Sequence, residues 1–163
     1  MPQPLVSICT LTYNHERYIR DAIDSFLLQQ TTFPIEIVTH DDGSTDATQR
    51  IVDRYAAEHS ALIRSIVQPA NLYSQGVRGI LARFLLPHAT GKYIALCEGD
   101  DYWTDPLKLQ KQVDFLEAHP ECAICFHNVI SFSEEGKGRS FARVPAGQKP
   151  ISTLEDILVN DFI

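Results

Sequence analysis

The apolar positions of this chain change period repeatedly, and each change marks an element. Leu5-Val6-Ser7-Ile8-Cys9-Thr10-Leu11 is a near-continuous apolar run of the buried-strand type. A polar turn, Thr12-Tyr13-Asn14-His15, follows. From Glu16 to Gln30 the residues Ile19, Ala22, Ile23, Phe26 and Leu27 then recur at helical spacing and make one inward stripe. Pro34 closes the connection to a second strand, Ile35-Glu36-Ile37-Val38-Thr39. Gly43 permits a tight turn, Ser44 or Thr45 is placed to cap the next helix, Asp46 complements its dipole, and Ile51, Val52 and Tyr55 form its inner face. The pattern then predicts a third strand over 62–67, a surface loop from Pro69 to Gly76, and a helix over 77–86 limited by Pro87. Gly91 precedes a further strand, Lys92-Tyr93-Ile94-Ala95-Leu96-Cys97. Asp105-Pro106 starts a helix that buries Leu109, Val113 and Leu116 and stops at His119-Pro120. Residues 122–132 read as another strand, 134–138 as a turn and 151–159 as a short amphipathic helix, with no internal repeat, low-complexity tract or linker.

Alternating strands and helices predict an α/β fold: a mostly parallel sheet with helices on both faces and right-handed crossovers. In such sheets ligands bind beyond the C-terminal strand ends, where the strand order reverses. Two acidic doublets occupy strand C-termini in this reading, Asp41-Asp42 within His40-Asp41-Asp42-Gly43-Ser44-Thr45-Asp46 and Asp100-Asp101 within Cys97-Glu98-Gly99-Asp100-Asp101-Tyr102-Trp103. They should share one rim. Adjacent carboxylates repel and are costly to dehydrate, so a pair there points to a metal, a hydrogen-bonding ligand or plain exposure.

Composition narrows the classes. With 163 residues and 44% hydrophobic side chains the chain can bury one substantial core, and a single domain over 1–163 is expected. A formal charge of −7 and a pI near 5.3 argue against broad binding to nucleic acid or anionic membranes, since no basic stripe exists to displace counterions. A phosphorylated ligand would need a cation or local donors. Met1-Pro2-Gln3-Pro4 lacks the basic and apolar segments of a signal peptide, and no stretch has membrane-spanning length. The default expectation is a cytoplasmic location, compatible with a peripheral place on the inner face of the membrane. Cys9, Cys97, Cys122 and Cys125 lie in apolar runs and read as reduced core thiols; a strand would turn Cys122 and Cys125 to opposite faces.

Divalent cations such as Mg²⁺ and Mn²⁺ favour carboxylate and phosphate oxygens and keep positions open for substrate, and Asp100-Asp101 has the composition for that. Three ordered segments carry a family resemblance: residues 6–14, Asp41-Asp42-Gly43-Ser44-Thr45-Asp46-Ala47-Thr48, and Ala89-Thr90-Gly91-Lys92-Tyr93-Ile94-Ala95-Leu96-Cys97-Glu98-Gly99-Asp100-Asp101. Together they resemble the family 2 glycosyltransferases over residues 4 to about 130. The resemblance implies a GT-A fold, a nucleotide-diphosphate sugar donor with UDP-sugars favoured, a Mn²⁺ or Mg²⁺ ion, a saccharide or glycolipid acceptor, inversion at the anomeric carbon, and a role in cell-surface polysaccharide synthesis. Carried over residue by residue, it implies that Thr12, Tyr13 and Asn14 lie beside the nucleoside. Asp42 resembles the uracil-binding aspartate, with Asp41 shaping that pocket, and Asp100 and Asp101 match the motif that holds metal and donor. Glu98 stands where the family often has aspartate, and its longer side chain could reach a ribose hydroxyl or a metal-bound water. Arg78, Arg83 and Trp103 are further donor-contact candidates, against solvent exposure for the arginines and packing for Trp103. His40 and His127 read as structural.

Inverting transfer also needs a general base for the acceptor hydroxyl, which in this family comes from an acceptor half C-terminal to the matched region. Glu155, Asp156 and Asp161 are carboxylates in helix-end context, where capping or surface roles are the simpler reading. The catalytic base is thus unassigned, and the chain is expected to be a donor-binding half, whose exposed apolar surface would favour a homo-oligomer. A non-catalytic nucleotide-binding module stays open. A phosphoacceptor receiver domain fits less well, because its acidic pair should follow the first strand and a lysine should follow the fifth. A dinucleotide-binding dehydrogenase lacks its Gly-x-Gly-x-x-Gly, and the nucleotidyltransferases of this fold lack their glycine-rich basic loop.

Overall fold

The computed structural model describes residues 2–131 and 140–142. The chain forms two compact units, residues 1–111 and 112–163. The first holds a four-stranded, wholly parallel sheet: β1 (Val6–Thr12), β2 (Ile35–Asp41), β3 (Ile63–Val67) and β4 (Tyr93–Leu96), in the order β3-β2-β1-β4. All four were expected from the sequence. The order explains the pattern of β1, which is bonded on both sides and buried at six of its seven positions.

Helices α1 (Ile19–Leu27) and α2 (Thr48–Glu58) follow β1 and β2. Right-handed crossovers in a β1-α1-β2-α2-β3 run place both on one face of the sheet, and they pack on each other. Ile19, Ala22, Ile23 and Phe26 of α1 and Ile51 and Val52 of α2 are buried, and each of these side chains other than that of Ala22 contributes about 1.5–3 kcal/mol. The opposite face carries Cys9 and Val38, which stand in register across β1 and β2 and pack with Leu85, Leu81, Ile66 and Ala89. That face is covered by less helix than the sequence suggests. Over 77–86 only a π-helical turn, Leu81–Leu85, forms, followed by a short 3-10 turn, Leu86–His88. Gly76 and Gly79 take φ of 85° and 66°, outside the helical region, and Pro87 limits the far end.

Helix α3 (Lys108–Ala118) begins after the Asp105-Pro106 signal. The Asp105 carboxylate accepts the Leu107 N–H at 2.9 Å and the Lys111 ammonium at 2.7 Å. Gln29 at the end of α1 ties this start in place, donating to the Asp105 carbonyl and accepting the Leu109 N–H. In the second unit β5 (Val129–Ser131) pairs antiparallel with β6 (Ser140–Ala142). The strand expected over 122–132 is therefore confined to its last residues. Residues 122–128 are irregular, so the argument that a strand separates Cys122 from Cys125 does not apply. The expected turn over 134–138, the helix over 151–159 and the carboxylates Glu155, Asp156 and Asp161 lie outside the described residues. Among the described residues no helix is long and apolar enough to cross a membrane.

Candidate nucleotide and cation site

The strand order reverses at β1, because β2 and β4 lie on its two sides and both run parallel to it. Thr12, the last residue of β1, stands opposite Asp41 in the register, and its carbonyl accepts the Asp42 N–H at 3.0 Å. On the other side the Leu11 carbonyl accepts the Gly99 N–H at 2.8 Å. The two acidic groups thus flank one strand end and share the expected rim. The approach on the β4 side is tight: a Cβ on Gly99 would lie 2.7 Å from Thr12 Oγ1 and 2.9 Å from His15 Nδ1, so only glycine fits without displacement.

The two residues of the first doublet have different surroundings. Asp41 is fully buried; its Oδ1 accepts the Ser44 N–H at 2.6 Å, whereas Oδ2 is buried with no protein partner. Asp42 is nearly buried, and its two oxygens accept the main-chain N–H groups of Leu72 and Tyr73 at 3.0 Å each. This carboxylate fastens the loop after β3 to the end of β2. Beside it lies an open cleft of about 570 Å³, lined by Tyr13, Gly43, Ser44, Gln68, Pro69 and Asn71 among others. Gly43 forms its floor at φ 74°, with the Ala70 main chain 2.4 Å from where a Cβ would stand. Tyr13 is 39% exposed at the cleft edge.

The turn after β1 is bound to the turn after β2 by a reciprocal set of hydrogen bonds. The Asn14 N–H donates to Ser44 Oγ at 2.9 Å, and Asn14 Oδ1 accepts the Thr45 N–H at 2.8 Å. The Glu16 N–H donates to Asp46, and the Ala47 N–H donates back to the Glu16 carboxylate. Asn14 takes a left-handed φ of 56° to make these contacts. Ser44 and Thr45 therefore do not cap α2 as expected: Ser44 faces Asn14, and it is Asp46 that accepts the Thr48 N–H, at 2.8 Å.

At the end of β4 the Asp101 N–H donates to the Glu98 carbonyl, which curls the acidic run into a turn. Desolvation, then the charges of Asp100 and Asp101, push the Glu98 carboxyl above its usual range. Desolvation and Asp100 do the same to Asp101, with His15 opposing. His15 Nε2 stands 3.8 Å from Asp100 Oδ2. Among the described residues no three metal-binding side chains converge. The donor set still suits a divalent cation, because adjacent carboxylates that raise each other are relieved by a positive charge, and such an ion takes its remaining ligands from phosphate and water.

The protein-family model "Glycosyl transferase family 2" matches residues 7–159. The chain belongs to this family. Among curated relatives, the uncharacterized protein Rv1520 of Mycobacterium tuberculosis is 45% identical over 161 residues, covering 97% of this chain and 44% of its own length. The chain thus spans about half the length of the curated relatives it matches. Among solved structures, S. aureus TarS 1-349 in complex with UDP-GlcNAc superposes with a TM-score of 0.59 at 29% identity, over 71% of this chain and 32% of that one. The mannosyltransferase PcManGT of Pyrobaculum calidifontis, in complex with GDP-Man and Mn²⁺, gives 0.58 at 27% identity, over 70% and 32%. These likenesses establish the GT-A fold and a glycosyltransferase domain.

In this family 2 domain the remaining candidates separate by position. Trp103 is packed in the core, its ring 4.9 Å from that of Phe26, with the Lys108 ammonium 4.0 Å over the indole and the Trp103 main-chain N–H donating to Ser25 Oγ. Tyr102 beside it is 45% exposed. Arg78 lies over the Tyr73 ring at 4.5 Å and donates to the Tyr73 and Val77 carbonyls, which makes it part of the loop held by Asp42. Arg83 is exposed on the π-helical turn, 5.8 Å from the Phe84 ring. His40 is buried, 3.1 Å from Gln68 Nε2, and burial lowers its pKa; exposed His127 is 2.9 Å from the Asn128 carbonyl. Burial, then nearby negative charge, pushes the Cys9 thiol up to about 11 and that of Cys97 to about 12, as unreactive thiols require. Sequence reasoning passed over Gln68, Asn71 and the 72–73 main chain as cleft and tether, and over His15. Their only sequence signal was membership of polar turns beside strand ends.

Proposed function

We propose that this domain binds a nucleotide-diphosphate sugar across the end of β1 and presents its sugar for inverting transfer to a saccharide or glycolipid acceptor. The observation that carries the reading is the placement of the two acidic groups on opposite sides of one strand end, at the reversal of strand order. UDP-GlcNAc in TarS and GDP-Man with Mn²⁺ in PcManGT support the ligand class. UDP-sugars are the favoured donors.

In this reading the base enters the cleft beside Tyr13, whose exposed ring offers a stacking surface, and Asp42 accepts the imide N–H while keeping its hold on the 72–73 main chain. Asp41 supports the pocket from below through Ser44, and Thr12 and Asn14 set the turn that carries Tyr13. Asp100 and Asp101 would hold the Mn²⁺ or Mg²⁺ ion and the diphosphate, and the longer Glu98 side chain would serve a ribose hydroxyl or a metal-bound water. When bound, the cation supplies Lewis-acid neutralisation of the departing nucleoside diphosphate. Arg83 lies at the outer edge of the donor, and Trp103 acts through packing. The general base and the acceptor site belong to the part of the relatives' length beyond this chain, where a place in cell-surface polysaccharide synthesis would be decided.

Titration calorimetry with UDP and GDP, with and without Mn²⁺, tests the reading directly. UDP is expected to bind, more tightly with Mn²⁺, and Asp101→Asn should remove the metal-dependent gain. If neither nucleotide binds, or Asp101→Asn leaves the Mn²⁺ effect intact, the donor site is elsewhere.

A further inference from the structure

We infer that His15 is a positioning residue of the donor site, holding the acidic turn after β4 against the end of β1 through its contact with Asp100. The inference rests on the nucleotide-and-cation reading above and adds a residue that this reading leaves unused.

Three observations converge on His15. Its Nε2 is 3.8 Å from Asp100 Oδ2, within ion-pair range although longer than a hydrogen bond. Its Nδ1 is buried without a protein partner and would be 2.9 Å from a Cβ on Gly99, so the ring lies flush against the acidic turn where that turn has no side chain. The main chain of His15 is anchored, because its carbonyl accepts the N–H groups of Tyr18 and Ile19 at the start of α1, and Asn14 before it is bound to Ser44 and Thr45. An imidazole on an anchored main chain thus meets a turn bearing three carboxylates within four residues.

The physical problem His15 addresses is mutual repulsion. Glu98, Asp100 and Asp101 would spread apart if left to themselves, and a cation would have to gather them again on binding. The imidazole beside Asp100 gives one of these carboxylates a neighbour on the β1 side and so limits how far the turn can open. Residues that orient metal-binding groups in this way typically alter metal affinity by about 10- to 100-fold when removed. Gly99 makes the arrangement possible, since any side chain there would push the ring and the turn apart.

The test uses the full chain and two substitutions of different chemistry. His15→Phe keeps a planar ring and removes the donor; His15→Gln keeps an N–H near the position of Nε2. UDP affinity is measured by calorimetry with and without Mn²⁺, alongside thermal unfolding. His15→Phe is expected to weaken UDP binding in Mn²⁺ by about tenfold, with metal-free UDP binding and the unfolding midpoint unchanged, and His15→Gln should restore most of the loss. Equal Mn²⁺ gains in His15→Phe and the wild type overturn the positioning role while leaving the donor-site reading intact. A parallel loss with and without metal also overturns it, because that marks a structural role. Absence of any Mn²⁺ effect in the wild type overturns both.

Discussion

The Tyr73 main-chain N–H lies 3.0 Å from Oδ2 of Asp42, and with the matching Leu72 contact it fastens the loop after β3 to the acidic end of β2. A carboxylate expected to read a base is therefore also the anchor of the cleft wall. Asp42→Asn replaces one acceptor oxygen by an amide facing an N–H. It is expected to cost about 1–3 kcal/mol of stability and to weaken UDP binding by tenfold or more. Urea unfolding and calorimetry on the same preparation check both effects, and loss of one without the other separates anchoring from base recognition.

Tyr13 stands half open at the edge of the cleft, with its ring available to a flat ligand. Stacking of a base on an aromatic ring is worth about 1–3 kcal/mol. Tyr13→Ala should weaken nucleotide binding by that amount, while Tyr13→Phe should stay near the wild type. Comparable losses in both variants would point to the hydroxyl and away from stacking.

Trp103 follows the acidic turn in sequence yet turns into the core, against Phe26. Trp103→Ala is expected to lose about 3–5 kcal/mol in urea unfolding. Trp103→Phe should keep most of the packing and leave nucleotide affinity within about twofold of the wild type. A tenfold loss of donor affinity in Trp103→Phe at unchanged stability would instead put the indole in the donor site.

Glu36 supplies a pH dependence far from the rim. Burial alone would raise its carboxyl, but the Ser7 hydroxyl at 2.6 Å and the Thr90 N–H and hydroxyl at 2.6 and 2.8 Å donate to one oxygen, and the net effect holds it below the usual range. A depressed folded-state pKa means that the unfolded chain binds the proton more readily. The stabilisation is then present above the unfolded value, near pH 4.5, and is lost as pH falls through the lower folded value. Glu36→Gln should be less stable than the wild type at pH 7 by about 1–3 kcal/mol, and the gap should narrow below pH 4.5. A gap that is constant from pH 7 to pH 3 would remove ionisation from the account.

Much of this fold is legible because apolar period is a local property. Val6 to Leu11 and Ile35 to Val38 read as buried strands, and Ile19, Ala22, Ile23 and Phe26 as a helix face, without knowledge of any partner. The shared rim followed from strand ends alone. What the sequence concealed depends on contacts between distant residues. Val77 to Leu86 carries helical spacing, but Gly79 at φ 66° shortens the helix to a π-helical turn. Residues 122–128 are largely apolar but lie outside any described strand, so their composition suggests a strand that the described ladder does not supply. The Asp42 tether joins residues 30 and 31 positions apart through main-chain donors, which have no side-chain signature at all.

Because β1 is bonded to β2 and β4 at once, the sheet itself acts as a gauge. Neighbouring strands are about 4.8 Å apart, so groups carried on the strands to either side of β1 are separated by roughly 9–10 Å at their roots. In the proposed binding mode a nucleotide-diphosphate donor would set its base and its diphosphate apart by a span of that order. Sliding either neighbour along β1 breaks a whole ladder before it changes the interval. In the proposed binding mode the interval between the two acidic groups is thus set by the backbone, beyond the reach of most side-chain substitutions.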